Sequence, residues 1–155
     1  NWDNLYFRNI KLINAFRNAF NFFGVKNVVA ENIIVKDCGR TNANGFYSYG
    51  FSLESSPQRR NKNIVLKNFI CENMYGFGIH IRQTDGFDFS NIELIDLVRL
   101  NDSIGITLTD ATSGNVNNVD IKKGVKTYSV DSHAIEINAS KKIVMENISV
   151  DSVRT

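Results

Sequence analysis

Two short phrases of apolar and polar positions alternate along the chain. The first reads small, apolar, polar, apolar. It occurs as Ala19-Phe20-Asn21-Phe22, Gly50-Phe51-Ser52-Leu53, Gly78-Ile79-His80-Ile81, Gly105-Ile106-Thr107-Leu108 and Ala134-Ile135-Glu136-Ile137. Its leading apolar residues, Phe20, Phe51, Ile79, Ile106 and Ile135, lie 27 to 31 positions apart. The second phrase falls between copies of the first. Val28-x-Ala30-x-Asn32-Ile33-x-Val35 is one copy, and Ile64-x-Leu66-x-Asn68-Phe69-x-Cys71 is the next. Phe87-x-Phe89-x-Asn91-Ile92-x-Leu94 and Ile143-x-Met145-x-Asn147-Ile148-x-Val150 follow, with partial copies at Phe7 to Leu12 and Val116 to Ile121.

Strict alternation puts every second residue on one face of a strand. In the second phrase the alternation slips by one at the asparagine, so Ile33 faces the same way as Ala30. A strand does this only by bending there. Asparagine tolerates the left-handed conformation that such a bend requires. Each repeat therefore predicts strand, corner, strand, loop, strand, loop. A repeat of this length cannot bury its apolar face alone, and stacking the repeats can. The pattern predicts an all-β fold: a right-handed parallel β-helix, a solenoid of about five coils. It has three parallel sheets and a ladder of asparagines at one corner.

The asparagine corner and the three-strand turn resemble the pectate-lyase-like β-helix superfamily over nearly the whole chain. That resemblance implies a polysaccharide as partner. The implied function is a lyase or glycoside hydrolase acting along the outer face of one sheet, or a non-catalytic glycan-binding or structural β-helix such as a phage tailspike shaft. A homotrimer, or continuation of the same β-helix, is the implied assembly, and a secreted or virion-surface location goes with it. A lyase of this kind would bring calcium; otherwise no cofactor is implied.

Two rival folds share parts of this pattern. Leucine-rich repeats share the period but need a leucine frame that is absent. Leu12, Phe16, Ala19, Phe20 and Phe23 stand at helical spacing, which allows a capping helix in place of a first coil. Residues 1–155 read as one domain that starts and stops in mid-repeat, as an excised piece or a chain with covered ends would. The hydrophobic share of 43% and net charge of +2 suit an ordinary folded domain and give no basis for nucleic-acid binding. No apolar run reaches membrane-spanning length. Cys38 and Cys71 fit no metal-ligand spacing and read as free thiols. Arg59-Arg60-Asn61-Lys62 reads as a solvated basic loop.

In the first phrase the apolar pair faces inward, so the residue between faces out. Stacking predicts an outward row Asn21, Ser52, His80, Thr107, Glu136 and a second row Phe23, Glu54, Arg82, Thr109, Asn138. Beside them runs a stripe of small residues, Ala19, Gly50, Gly78, Gly105 and Ala134. It reads either as the floor of a shallow groove or as relief from crowding. Tyr47, Tyr49, Tyr75 and Phe77 precede the strands and are candidates for stacking on sugars. Arg82, Glu54, Thr107, Asp110, Asp131 and Tyr75 are the candidate substrate-binding residues.

A narrower likeness appears in two loops. Asn101-Asp102-Ser103-Ile104-Gly105-Ile106 resembles the paired-aspartate turn of polygalacturonases, and Ser132-His133-Ala134-Ile135-Glu136-Ile137 resembles their following turn. This implies Asp102 as acid or base and His133 as an orienting residue. With Glu136 and His80 they form the candidate catalytic set. Asn101 stands where the second aspartate belongs, and Thr84-Asp85-Gly86 is out of register with the family's motif. Glycoside hydrolysis needs two correctly spaced carboxylates. The competing readings are a packed His133 at inward parity with Phe77 and Ile104, and turn-capping roles for Asp102 and Asp131.

Overall fold

The computed structural model describes residues 2–39, 48–99, 104–127, 133–151 and 153–154. Every element among them is a strand. They are β1 (Asp3–Ile13), β2 (Phe20–Phe23), β3 (Lys26–Lys36), β4 (Tyr49–Glu54), β5 (Asn61–Glu72) and β6 (Phe77–Arg82). Then come β7 (Thr84–Arg99), β8 (Ile104–Thr109), β9 (Thr112–Thr127), β10 (His133–Asn138), β11 (Lys141–Val150) and β12 (Val153–Arg154). The helix allowed between Leu12 and Phe23 does not form: β1 ends at Ile13 and β2 takes Phe20–Phe23 into the stack.

All pairing is parallel, each strand with its equivalent one coil away. The larger sheet runs β1-β3-β5-β7-β9-β11, with β12 also on β9, and the smaller runs β2-β4-β6-β8-β10. The molecule is a β-solenoid of about five coils. Where three sheets were expected, two of the faces form one hydrogen-bonded sheet. Pairing continues through the asparagine corner, with Arg8 opposite Glu31 before it and Ile10 opposite Ile33 after it.

The corner itself is as the sequence predicts. Asn9, Asn32, Asn68, Asn91, Asn118 and Asn147 all have φ between 53° and 58°. Their amides form a ladder: Nδ2 of Asn32, Asn68, Asn91 and Asn118 donates to Oδ1 of the asparagine one coil below, at 2.8–2.9 Å. The last rung shifts by one residue, because Asn147 donates to Asn117. A second left-handed corner lies five residues earlier, at Asn4, Asn27, Asn63, Gly86, Ser113 and Lys142. A third lies five residues later, at Asn14, Asp37, Asn73 and Asp96. The second phrase did not reveal these corners, since the positions are not uniformly asparagine.

Like residues stack on like. One core column is Phe20, Phe51, Ile79, Ile106 and Ile135, joined rung by rung. Phe51 meets Phe69 and Phe89 edge-on across the interior. Volumes are matched along columns. In the column of Leu5, Val28, Ile64, Phe87, Gly114 and Ile143, the Phe87 ring also fills the place above it. A Cβ on Gly114 would lie 1.9 Å from that ring. Cys38 and Cys71 are both buried free thiols.

Candidate functional site

The backbone aligns the predicted outward row as drawn. Asn21 is opposite Ser52, Ser52 opposite His80, His80 opposite Thr107, and Thr107 opposite Glu136. The second row is paired in two parts, with Phe23 opposite Glu54, and Arg82 and Asn138 each opposite Thr109.

The groove beside these rows is not there. A Cβ on Gly50 would strike the Cys71 sulfur at 2.7 Å, one on Gly78 the Leu94 side chain at 2.9 Å, and one on Gly105 Ile121 at 3.0 Å. These glycines thus point into the core, where side chains of the larger sheet fill the space they leave. Relief of crowding is the correct reading of the stripe. Since both Gly50 and Phe51 face inward, the strand alternation inverts there. Tyr49 and Phe77 therefore lie outside the main core, in a small buried cluster of their own, and not at the inward parity assigned to Phe77.

That inversion changes His80. Expected in the open, it is half-buried, with the Tyr49 ring stacked on its imidazole at 4.7 Å and Phe77 edge-on at 6.2 Å. Burial, aided by the nearby Arg82 charge, lowers its pKa to about 4, so the imidazole is neutral at pH 7. Its Nδ1 and the Ser52 Oγ are both sealed from water and have no hydrogen-bond partner among the described residues. Thr107 is buried as well. Tyr49 and Phe77 are too buried to stack on a sugar, whereas Tyr75 is exposed and its backbone N–H donates to Cys38.

The remaining candidates divide. Arg82 is exposed and Glu54 half-buried. Glu136 accepts a short hydrogen bond from Asn138, two residues along its own strand. Asp110 is held by Arg60, whose guanidinium donates to its carboxylate at 2.9 Å and to its carbonyl at 2.7 Å. Arg60 also grips Asp85 at 2.9 Å, and Thr112 donates to the same carboxylate at 2.7 Å. Hydrogen bonding from Arg60 lowers the Asp85 pKa. The basic loop is thus not simply solvated: Arg60 clips three successive coils together. Asn61 is fully buried, accepting from Val25 N–H at 3.0 Å. Asp102 and Asp131 lie outside the described residues. Of His133 the structure gives the backbone, paired with Ile104. Among the described residues, no three His, Cys, Asp or Glu side chains gather as a metal site would need.

Comparison with protein-family models, curated proteins and solved structures found no match. The chemistry must be read from this chain's own surface.

Two hollows lie on the larger sheet, away from the predicted rows. One borders the main asparagine ladder and holds Glu93 and Asp120 on neighbouring coils. Lys122 bridges these carboxylates at 3.5 and 3.1 Å. The other lies between the Asn4, Asn27, Asn63 corner and the outward column Tyr6, Val29, Val65. A signal for it was present in the sequence. Leu5-Tyr6-Phe7, Val28-Val29-Ala30 and Ile64-Val65-Leu66 are apolar at the outward position too, where a half-buried strand would be polar.

Proposed function

We propose that this chain is a polysaccharide-recognising β-helix whose described surface binds a sugar polymer without completing a cleavage site. One observation carries the reading: outward side chains repeat coil after coil in parallel register, about 4.8 Å apart, with a register shift between Ile95 and Leu97 on β7. A polymer of sugars presents hydroxyl groups at a comparable repeat. A secreted or virion-surface location follows from such a role.

Against cleavage on the His80 face stands the state of its carboxylates. Asp110 is committed to Arg60 and Glu136 is bonded to Asn138, so among the described residues no free pair is spaced for acid and base. Covered by Tyr49 and with its pKa lowered to about 4, His80 is too weakly basic to serve well as a general base. A cleavage reading rests on Asp102. The second reading, a structural shaft of the tailspike kind, is favoured by the stacked core columns and the amide ladder.

Affinity electrophoresis against acidic and neutral polysaccharides tests the proposal. Reducing ends and the absorbance of unsaturated sugars are followed in parallel. Retardation with neither product supports it. Reducing ends alone mean hydrolysis, both signals mean a lyase, and either would overturn the binding-only reading. No retardation and no product leaves the shaft, which light scattering would report as a stable trimer.

A further inference from the structure

We propose that the hollow beside Tyr6 is the sugar site, and that it takes a carboxylate-bearing polysaccharide lying across the first three coils. This rests on the reading that the chain recognises polysaccharide, and it moves the site to the larger sheet, away from His80.

The hollow joins the two kinds of surface that sugars need. On one side stands an apolar column: Tyr6, over half exposed, is opposite Val29, and Val29 is opposite Val65. The Tyr6 ring is held in place. Its hydroxyl donates to Glu31 at 3.1 Å, and the Arg8 guanidinium sits 5.0 Å from the ring centre while donating to the same carboxylate at 2.9 Å. A ring fixed beforehand loses little freedom when a ligand stacks on it. On the other side stand three amides. Asn27 donates to the Asp3 carboxylate at 2.8 Å and more weakly to Asn4 at 3.4 Å, and Asn63 donates to Asn27 at 2.8 Å.

An asparagine amide offers two N–H donors and a carbonyl with two lone pairs. Among the described residues the Asn4 amino group and the Asn63 carbonyl have no side-chain partner, so donors and acceptors remain to meet hydroxyls. Gly86 continues this corner with no side chain above Asn63, which ends the ladder there. Charge selects the class of polymer. Asp3, Lys26 and Lys62 are aligned before the amides, and Arg8, Glu31 and Lys67 are aligned beyond the ring. Four cations against two anions favour an acidic sugar.

Calorimetric titration of the whole chain, with an alginate oligomer and a neutral glucose oligomer of equal length, tests this. The wild type binds the alginate oligomer more tightly. Tyr6→Ala weakens that binding about tenfold, as loss of one stacked aromatic predicts. Tyr6→Phe weakens it only about two- to threefold, since the stacking ring remains and only its hydroxyl anchor to Glu31 is lost. Lys62→Glu weakens it and makes its salt dependence shallower, because one attractive charge is replaced by a repulsive one, and His80→Gln leaves it unchanged. Matching thermal midpoints establish that each variant is folded. Wild-type binding that survives both Tyr6→Ala and Lys62→Glu would overturn the site while leaving polysaccharide recognition standing. Loss in Tyr6→Ala with Lys62→Glu unaffected, or tighter binding of the neutral oligomer, would overturn the acidic class. A wild type that binds neither oligomer, nor any polysaccharide in electrophoresis, would remove the inference and the reading beneath it together.

Discussion

The middle coils and the last coil are written in the same phrase yet differ sharply in burial. Leu53, Ile81 and Leu108 are wholly sealed, while Ile137, next in their column, is 47% exposed. Cys71, Leu94 and Ile121 are sealed, and Val150 above them is 41% exposed. Sequence pattern alone therefore does not bury a residue in this fold. A side chain is enclosed only when a coil lies on each side of it. Stability is then a sum of terms between neighbouring coils, as in other repeat proteins.

The sharpest way to break the comparison is to truncate one column at two heights. Leu108→Ala should cost about 2–5 kcal/mol, because it empties a sealed site. Ile137→Ala should cost about 1 kcal/mol, since much of its side chain already meets water. Urea unfolding of both variants checks this, and equal losses would refute it.

His80 gives the next largest effect. It belongs to a middle coil, and burial lowers its pKa to about 4. The unfolded chain takes up the proton near pH 6.5 and the folded chain only near 4, so the unfolded state binds more protons between those values. Stability therefore falls as pH drops through that window, by up to about 3 kcal/mol, and levels off below it. The difference between wild type and His80→Gln should trace this slope. A difference that is flat with pH would mean that the imidazole is solvated.

Gly114 probes packing within a middle coil. Gly114→Ala should cost about 1–3 kcal/mol, because its methyl group enters the Phe87 ring. Adding Phe87→Leu should recover part of the loss, as a double-mutant cycle would report. The smallest effect belongs to the ladder. Asn91 donates to Asn68 and accepts from Asn118, while Asn147 makes one bond, off register. Asn91→Ala should cost about 1–2 kcal/mol, and Asn147→Ala less. Both positions are left-handed, so the excess at Asn91 measures the extra amide bond.

The solenoid was legible because its signal is repeated: a one-residue slip at each asparagine recurs coil after coil. The residues of each row could be named from the period, and the backbone pairs the first row as named and the second in two parts. Which way they point was harder to read. The smaller sheet carries a second slip, at Gly50 and Gly78, and nothing in a small residue announces that its missing side chain faces inward. That one inversion turns the supposed groove into core and folds Tyr49 and Phe77 over His80. Arg60 was misread for a different reason. Its partners Asp85 and Asp110 are 25 and 50 positions away, and only the stacking brings them together. The hollow at Tyr6 is visible in the sequence only as apolar residues at outward positions, a departure from alternation that does not by itself distinguish a hollow from a strand covered on both faces.

Residue-by-residue amide hydrogen exchange tests the central claim most directly, namely that each coil is stabilised by the coils on either side. Protection should be greatest in β5 and β7 and decline through β3 to β1 and through β9 to β11, with equivalent residues of successive coils falling in step. Uniform protection along the stack, or a maximum in β1 or β11, would contradict it.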